Sequence, residues 1–193
     1  VIGGNGSLTG LQAILHPDEN TTGLRGVGLP ASIDNDIGIT RLAIGVDTAV
    51  NTIVEACDKI SDTASAHART FIVEVMDKNE DEIGETVKRA VVAAHQRNDR
   101  SKRVLIIKAE GVPISTDTLR ARLDAECAEA LGQEAQIETR VTVLGHVVRG
   151  GRPSALDRQV ASRLAYAGVR GLMKGESNKM AAWGTEAEGA PRP

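Results

Sequence analysis

Two carboxylates stand two residues apart in the segment Ser32-Ile33-Asp34-Asn35-Asp36, directly after an apolar run that is typical of a buried strand. Open α/β sheets bind their ligands at the carboxyl ends of strands. A carboxylate at such a position can accept a proton from a hydroxyl group while its neighbour holds a magnesium ion. The alternative is an Asp-rich turn that bonds only its own backbone, and the segment alone does not decide between the two.

A glycine-rich segment, Gly3-Gly4-Asn5-Gly6-Ser7, lies between an apolar run and a helical pattern. Its glycines let the backbone approach a ligand, and the start of the helix offers unpaired N–H groups to a phosphate. Glycine-rich turns between a strand and a helix are common, so a plain tight turn is the alternative interpretation.

Cationic side chains cluster around the last predicted strand, at Arg140, His146 and Arg149, next to the flexible residues Gly145 and Gly150-Gly151. Two guanidinium groups and an imidazole make a good receptor for a doubly charged phosphate, because arginine offers a planar fork of donors. A solvated charged loop is the alternative.

The composition excludes several classes of function. The 23 basic and 26 acidic residues are interspersed and give a net charge of −3, so we expect no nucleic-acid partner. Charges break the apolar runs well short of the roughly 20 residues of a membrane span, and we expect a cytoplasmic protein with no membrane partner. The only two cysteines, Cys57 and Cys127, lie in amphipathic helical patterns and are predicted to be core residues.

Predicted strands and helices alternate along the chain, which indicates an α/β protein with mostly parallel, Rossmann-like sheets and helices on both faces. Strands are predicted at Gly26–Ser32, Thr70–Val75, Val104–Ala109 and Ile137–Leu144, and helices at Ser7–Leu15, from Asp47 onward, at 83–94, at Asp117–Leu131 and from Ser154 to about Lys174.

Taken together and in order, these segments resemble the 6-phosphofructokinase family. The resemblance spans Val1 to about Met173. The matching motifs are Gly4-Asn5-Gly6-Ser7, Ser32-Ile33-Asp34-Asn35-Asp36, Asp47 to Arg69, Glu74-Val75-Met76, Ala109-Glu110-Gly111 and Thr139 to Leu164.

The resemblance implies an ATP-dependent kinase of glycolysis that uses Mg²⁺ to transfer the γ-phosphoryl group of ATP to the 1-hydroxyl of fructose 6-phosphate. It implies that Asp34 takes the hydroxyl proton, that Ser32 contacts the transferring phosphoryl group and that Asp36 helps hold the metal. The nucleotide would lie on Gly4, Asn5, Gly6 and Ser7.

The resemblance also implies the residues that bind the sugar phosphate. Arg140, His146 and Arg149 would grip it, and Glu110 and Met76 would fix the sugar hydroxyls and ring. Arg69 would reach across from a neighbouring subunit, so a homo-oligomer, either a dimer or a tetramer, with shared active sites is expected.

The implied architecture is a partial version of the family's two lobes. Residues 1–45 would belong to the nucleotide-binding lobe and residues 46–150 to the fructose 6-phosphate lobe. Residues 151–176 would be a helix that returns to the first lobe, and residues 177–193 are expected to be a disordered tail.

The sequence departs from the family at several points. Asn5 stands where most members carry Asp, and Asp77-Lys78 stands where they carry Gly-Arg; a strand-helix unit after Met76 and the first nucleotide-binding unit before Val1 are expected to be missing.

Gly6 and Ala31 favour ATP over pyrophosphate. A non-catalytic sugar-phosphate-binding homologue and a pyrophosphate-dependent enzyme remain the alternatives.

Overall fold

The fold is taken from a computed structural model that describes residues 1–18, 20, 23–67, 69–76, 104–131 and 138–184. The chain divides into two compact units. Unit 1 comprises Val1–Ala49 and Gly151–Pro193, and unit 2 comprises Val50–Gly150. The predicted helix at 83–94 and the departure at Asp77-Lys78 lie outside the described residues.

The described elements alternate as an α/β protein requires, and the predicted class is confirmed. They are β1 (Ile2–Gly3), α1 (Asn5–Ile14), β2 (Val27–Pro30), α2 (Val46–His67), β3 (Thr70–Val75), β4 (Val104–Ala109), α3 (Thr116–Leu131), β5 (Thr139–Val143), a 3₁₀ helix (Gly145–Arg149), α4 (Ala155–Met173) and β6 (Lys179–Met180). Strands β3 and β4 have the predicted bounds. Helix α1 begins two residues before the predicted Ser7, with Gly4 at its N-cap.

Unit 1 contains a parallel three-stranded sheet in the order β1-β2-β6. Helix α1 packs closely on one face, since a Cβ atom at Gly28 would collide with the side chain of Leu8. Helix α4 packs on the opposite face, where Gly168 lies against Val27 and Leu29. The glycine at position 28 leaves room for the Leu8 side chain, which would have to shift if a Cβ atom were added.

Within unit 1, hydrogen bonds join the first residues of α2 to the first residues of α4. Asp157 is only 3% exposed, and its carboxylate accepts hydrogen bonds from the backbone N–H groups of Gly45 (2.8 Å) and Thr48 (2.7 Å) and from the Thr48 hydroxyl. In return, the Ser154 hydroxyl donates to Asp47 in the first turn of α2 and caps α4 by accepting from the Asp157 N–H. Asp157 thus satisfies donors at the start of α2, and Ser154 caps α4 while joining the two helix starts.

Unit 2 contains a second parallel three-stranded sheet, in the order β4-β3-β5. One face packs on α3 through a cluster that includes Ile72, Ile106 and Leu123. The other face packs on α2 through Cys57, Val73 and Val75. Helices therefore cover both faces, as predicted, and β3 lies at the centre of the core.

The predicted disordered tail differs from the structure over residues 177–184. Strand β6 pairs with β2, and the N–H groups of Asn178 and Ala181 donate to the carbonyls of Gly26 and Gly28 at 2.9 and 3.0 Å. The small and charged composition concealed this strand, because its stability comes from backbone pairing rather than from apolar side chains. Residues 185–193 lie outside the described residues.

Both cysteines, Cys57 and Cys127, are free and buried, as predicted. Burial, with a smaller contribution from the neighbouring Asp58 carboxylate, raises the pKa of the Cys57 thiol. Among the helices of the described residues, none is both long and apolar enough to cross a membrane.

Candidate active site

A cleft of about 120 Å³ opens at the carboxyl edge of the unit 2 sheet. Because β3, β4 and β5 are parallel, their last residues meet at one edge. The ladder continues past the strands, as the Glu110 N–H donates to the Val75 carbonyl (2.8 Å) and the Leu144 N–H to the Glu74 carbonyl (3.0 Å). The cleft is lined by Glu74, Val75, Met76, Glu110, Val143, Gly145 and His146.

Three of the residues predicted to bind the sugar phosphate, Met76, Glu110 and His146, line this cleft together. They come from the ends of three different strands. Gly145 has a φ angle of +51°, a conformation that side chains disfavour, and it lets the chain turn from β5 into the 3₁₀ helix. Arg149 is exposed at the end of the same 3₁₀ helix, three residues beyond His146.

The wall of the cleft contains a charged pair that the sequence analysis did not single out. Lys108 is 2% exposed, and its Nζ donates to the Glu74 carboxylate (3.4 Å) and to the Ala109 carbonyl (3.1 Å). The Thr116 hydroxyl donates to the same Glu74 oxygen. A lysine inside the apolar run Val104–Ala109 was the available signal, because a buried ammonium group requires a partner.

Two other predicted residues, Arg69 and Arg140, lie at the opposite edge of the sheet. Arg69 precedes β3, and its Nε pairs with the Glu138 carboxylate at 2.6 Å; Arg140, near the start of β5, pairs with the other oxygen of Glu138. About 10 Å of strand separates Arg140 from Val143 at the cleft. Of the six predicted residues, three line the cleft, two form a separate cationic pair joined by Glu138, and Arg149 lies three residues beyond His146.

In unit 1, the two segments predicted to bind nucleotide and carry catalysis lie side by side. Strands β1 and β2 are neighbours, and the Ala31 N–H donates to the Gly3 carbonyl at 3.0 Å. Gly4 lies against Ser32, and the Asn5 amide donates to the Asp36 carbonyl at 3.4 Å. The glycine-rich segment and the carboxylate segment therefore form one continuous surface at the carboxyl edge of the sheet.

Asn35 organises the carboxylate segment, a role that the sequence analysis did not assign. Its φ angle is +49°, its side-chain oxygen accepts from the Ala43 N–H (3.0 Å) and its amide donates to the Arg41 carbonyl (3.2 Å). The Ser32 hydroxyl accepts from the Asp34 N–H at 3.4 Å. The turn does bond its own backbone, and it does so through Asn35, between the two carboxylates, and through Ser32, two residues before Asp34.

The carboxylates Asp34 and Asp36 are half-buried and exposed, respectively. Within the described ranges, no group of three or more His, Cys, Asp or Glu side chains could hold a metal ion. Magnesium, however, usually takes one or two protein carboxylates and completes its shell with substrate phosphates and water. The donor set fits a magnesium ion that arrives with a nucleotide rather than one that resides in a protein cage.

Comparison with known proteins identifies the family. The family model described as Phosphofructokinase matches residues 1–84 and 77–172. The chain belongs to the phosphofructokinase family. The family alignment restarts at residue 77, immediately after Met76, where the sequence departs from the family motif.

Curated relatives in this family are named ATP-dependent 6-phosphofructokinase. This chain is 42% identical over 196 residues to the protein from Macrococcus caseolyticus and 39% identical over 199 residues to that from Brevibacillus brevis. It covers 57% and 58% of those proteins, with 92% and 93% of its own length aligned. The chain therefore spans a little over half the length of these relatives.

A solved structure shows the same fold. The phosphofructokinase of Pichia pastoris in the T-state superposes with a TM-score of 0.72 at 26% identity, over 90% of this chain and 22% of that one. The family and the α/β fold are thus established from sequence and from structure.

Proposed function

We propose that this protein is an ATP-dependent 6-phosphofructokinase, or a part of one. It transfers the γ-phosphoryl group of ATP to the 1-hydroxyl of fructose 6-phosphate, giving fructose 1,6-bisphosphate in cytoplasmic glycolysis. The observation that carries the proposal is the convergence of Met76, Glu110 and His146 on one cleft. Its relatives' printed name, ATP-dependent 6-phosphofructokinase, supports ATP as donor.

Asp34 is proposed as the base that takes the proton of the sugar 1-hydroxyl. It is half-buried, and Asn35 fixes the turn around it by two backbone hydrogen bonds. A carboxylate on a turn whose backbone is fixed can meet a hydroxyl at hydrogen-bonding distance, which general base catalysis requires. Ser32, whose hydroxyl lies beside Gly4, would contact the transferring phosphoryl group.

The nucleotide phosphates are proposed to bind at the start of α1, on Gly4, Asn5, Gly6 and Ser7. The first N–H groups of a helix have no partner within the helix and attract anions. At Gly6 no atom lies within 4 Å of the place where a Cβ would stand, so a ligand could approach the backbone there. A magnesium ion held by Asp36 and the phosphates would offset charge during transfer.

The sugar phosphate is proposed to bind in the unit 2 cleft. His146 and Arg149 would hold its phosphate, because both follow the end of β5 and neither is buried. Glu110 would accept hydrogen bonds from the sugar hydroxyls, and Met76 would pack on the ring. A cleft with an apolar wall and a few polar groups is typical of a small-molecule site.

Arg69 and Arg140 are proposed to act on the site of a second copy of the chain. They share the Glu138 carboxylate at the edge of the sheet opposite the cleft that His146 lines. An oligomer with shared sites, a dimer or a tetramer, would use this pair.

The decisive experiment is phosphoryl transfer to fructose 6-phosphate with ATP and Mg²⁺, measured on the wild-type chain and on Asp34→Asn. Loss of the base is expected to lower kcat by about 10²- to 10⁴-fold. The matched control is Asp18→Asn, which removes an 87% exposed carboxylate in the same unit and is expected to leave the rate unchanged. Equal rates for the wild type and Asp34→Asn would contradict the proposal, and faster transfer from pyrophosphate than from ATP would change the donor.

One observation favours a second candidate, a sugar-phosphate-binding protein without kinase activity. The Asn5 amide donates to the Asp36 carbonyl, so this position stabilises the turn and contributes no carboxylate to a metal. Calorimetry distinguishes the two functions, because the second predicts binding of fructose 6-phosphate with no transfer from any donor.

A further inference from the structure

Lys108 places a positive charge deep inside unit 2, directly behind the cleft. Its side chain is 2% exposed, although it lies in a strand of otherwise apolar residues. Burying an unpaired ammonium group is costly, and removing one partner of a buried pair leaves the other uncompensated. The buried ammonium group of Lys108 therefore requires the Glu74 carboxylate as its charge partner.

The Lys108 side chain contacts Glu74, a residue of the cleft wall. Lys108 and Glu74 are register partners on β4 and β3, and the Lys108 ammonium donates to the Glu74 carboxylate at 3.4 Å. The Thr116 hydroxyl, at the start of α3, donates to the same oxygen. The Glu74 side chain is 20% exposed and lines the cleft, so the carboxylate stands between the ammonium group and the ligand space.

The cleft presents a charge conflict that this pair resolves. Two carboxylates, those of Glu74 and Glu110, line a space that is proposed to receive a sugar phosphate, which is an anion. Glu110 has a use, since it can accept hydrogen bonds from sugar hydroxyls. Glu74 already accepts from Lys108 and Thr116, and without the lysine it would add an uncompensated negative charge beside the phosphate.

We propose that Lys108 is a positioning residue of the sugar-phosphate site. Its buried ammonium group neutralises the Glu74 carboxylate and fixes it in the cleft wall, and this permits an anionic ligand to bind beside it. The inference rests on the proposed function of the cleft. It assigns to Lys108 no contact with the substrate.

The test is calorimetric binding of fructose 6-phosphate to the full chain and to three variants: Lys108→Met, Glu74→Gln and the double variant. Lys108→Met retains the length and apolar stem of the side chain and is expected to weaken binding roughly tenfold, through like-charge repulsion at short range. Glu74→Gln removes the negative charge, so it is expected to leave binding unchanged or to tighten it. The double variant is expected to regain wild-type affinity.

A purely structural role makes a different prediction. Each single variant breaks a buried pair, so thermal unfolding is expected to show both destabilised, while a role in charge requires that Lys108→Met weakens binding and that Glu74→Gln does not. ATP binding, measured in parallel, is expected to stay constant in all three variants. The double variant removes both charges together, and it keeps the test valid if a single variant does not fold.

Three outcomes overturn the inference and are distinguishable. If Lys108→Met binds fructose 6-phosphate as tightly as the wild type, or if the double variant binds as weakly as Lys108→Met, Lys108 does not set the charge of the site and the proposed function stands. If the wild-type chain itself does not bind fructose 6-phosphate, the proposed function fails and the role of Lys108 fails with it.

Discussion

The two candidate sites are held by different kinds of interaction. In unit 1, the carboxylate segment is fixed by neutral amide groups, since Asn35 bonds the backbone at Ala43 and Arg41, and Asn5 bonds the Asp36 carbonyl. In unit 2, the cleft wall is fixed by the buried ion pair of Lys108 and Glu74. The backbone of the first site is thus fixed by neutral groups, whereas the wall of the second site contains a buried pair of opposite charges.

This contrast predicts different responses to mutation. Neutral hydrogen bonds each contribute about 1 kcal/mol, so unit 1 should tolerate the loss of one bond in its turn. Breaking a buried ion pair costs about 3–5 kcal/mol because a charge is left without a partner. Asp157, a buried carboxylate in unit 1, is the exception to this contrast.

Among substitutions in unit 1, Asp157→Ala is expected to have the largest effect on stability. The variant removes a buried anion that accepts from Gly45 and Thr48 at the start of α2, and those N–H groups would lose their acceptor. We expect a loss of about 3 kcal/mol in the free energy of unfolding, measured by urea denaturation. Asp157→Asn keeps the shape and one acceptor, and it should lose less. Equal losses in the two variants would mean that packing, and not the acceptor oxygens, explains the effect.

Asn35→Ala is expected to cost about 2 kcal/mol, because it removes two hydrogen bonds and retains a Cβ at a φ angle of +49°. Asn35→Gly also removes both bonds but relieves the backbone. The glycine variant should therefore be the more stable of the two in thermal unfolding. If it is the less stable, the left-handed conformation is not a source of strain at this position.

Glu138→Gln is expected to have a smaller effect, below about 1 kcal/mol on stability, because the groups it joins are partly exposed. The effect of Glu138→Gln on the binding of fructose 6-phosphate is more informative. Freeing Arg69 and Arg140 from their carboxylate should strengthen the affinity of an assembled oligomer for fructose 6-phosphate and leave that of the isolated monomer unchanged. Calorimetry on size-separated fractions measures both. An equal gain in the monomer would place the pair at its own chain's site.

The smallest effect is expected at Glu55, on the exposed face of α2. A hydrogen bond from Lys59, together with its charge, holds the pKa of the Glu55 carboxyl below its usual value. A lowered folded-state pKa gives stability that is present above the unfolded pKa and is lost as the pH falls through the folded pKa. Because both side chains are exposed, Glu55→Gln should leave the thermal midpoint unchanged at neutral and at acid pH. A change in the thermal midpoint at neutral pH but not at acid pH would show that the Glu55–Lys59 pair contributes more to stability than we expect.

Local patterns predicted much of the fold. The β-branched run at Thr70–Val75 and the apolar run at Val104–Ala109 predicted two strands at their observed bounds, and Ser154 was correctly taken as the start of α4. These predictions succeeded because side-chain periodicity and capping act within a few residues. The short strand β6 escaped prediction because it is held by pairing with β2, far away in the sequence.

The candidate sites were predicted in part. The motifs predicted which side chains carry chemistry, and three of them meet in the unit 2 cleft because parallel strands end at one edge. The motif order did not show that Arg140 and His146 lie far apart. Arg140 is near the start of β5 and His146 lies beyond its end, so the length of the strand separates them. Lys108, Asn35 and Asp157 were not singled out, since each acts through a partner that sequence spacing does not reveal.

The sequence by itself determined the class of the fold and the family, because short-range periodicity and motif order are written along the chain. The residues that it assigns to phosphate binding stay a prediction. Only the tertiary structure decided that Lys108 faces Glu74, 34 residues earlier, and that Asp157 caps a helix that begins more than 100 residues earlier. The reason is physical. Buried polar groups must find partners, and which partner lies within hydrogen-bonding distance depends on strand register and helix packing.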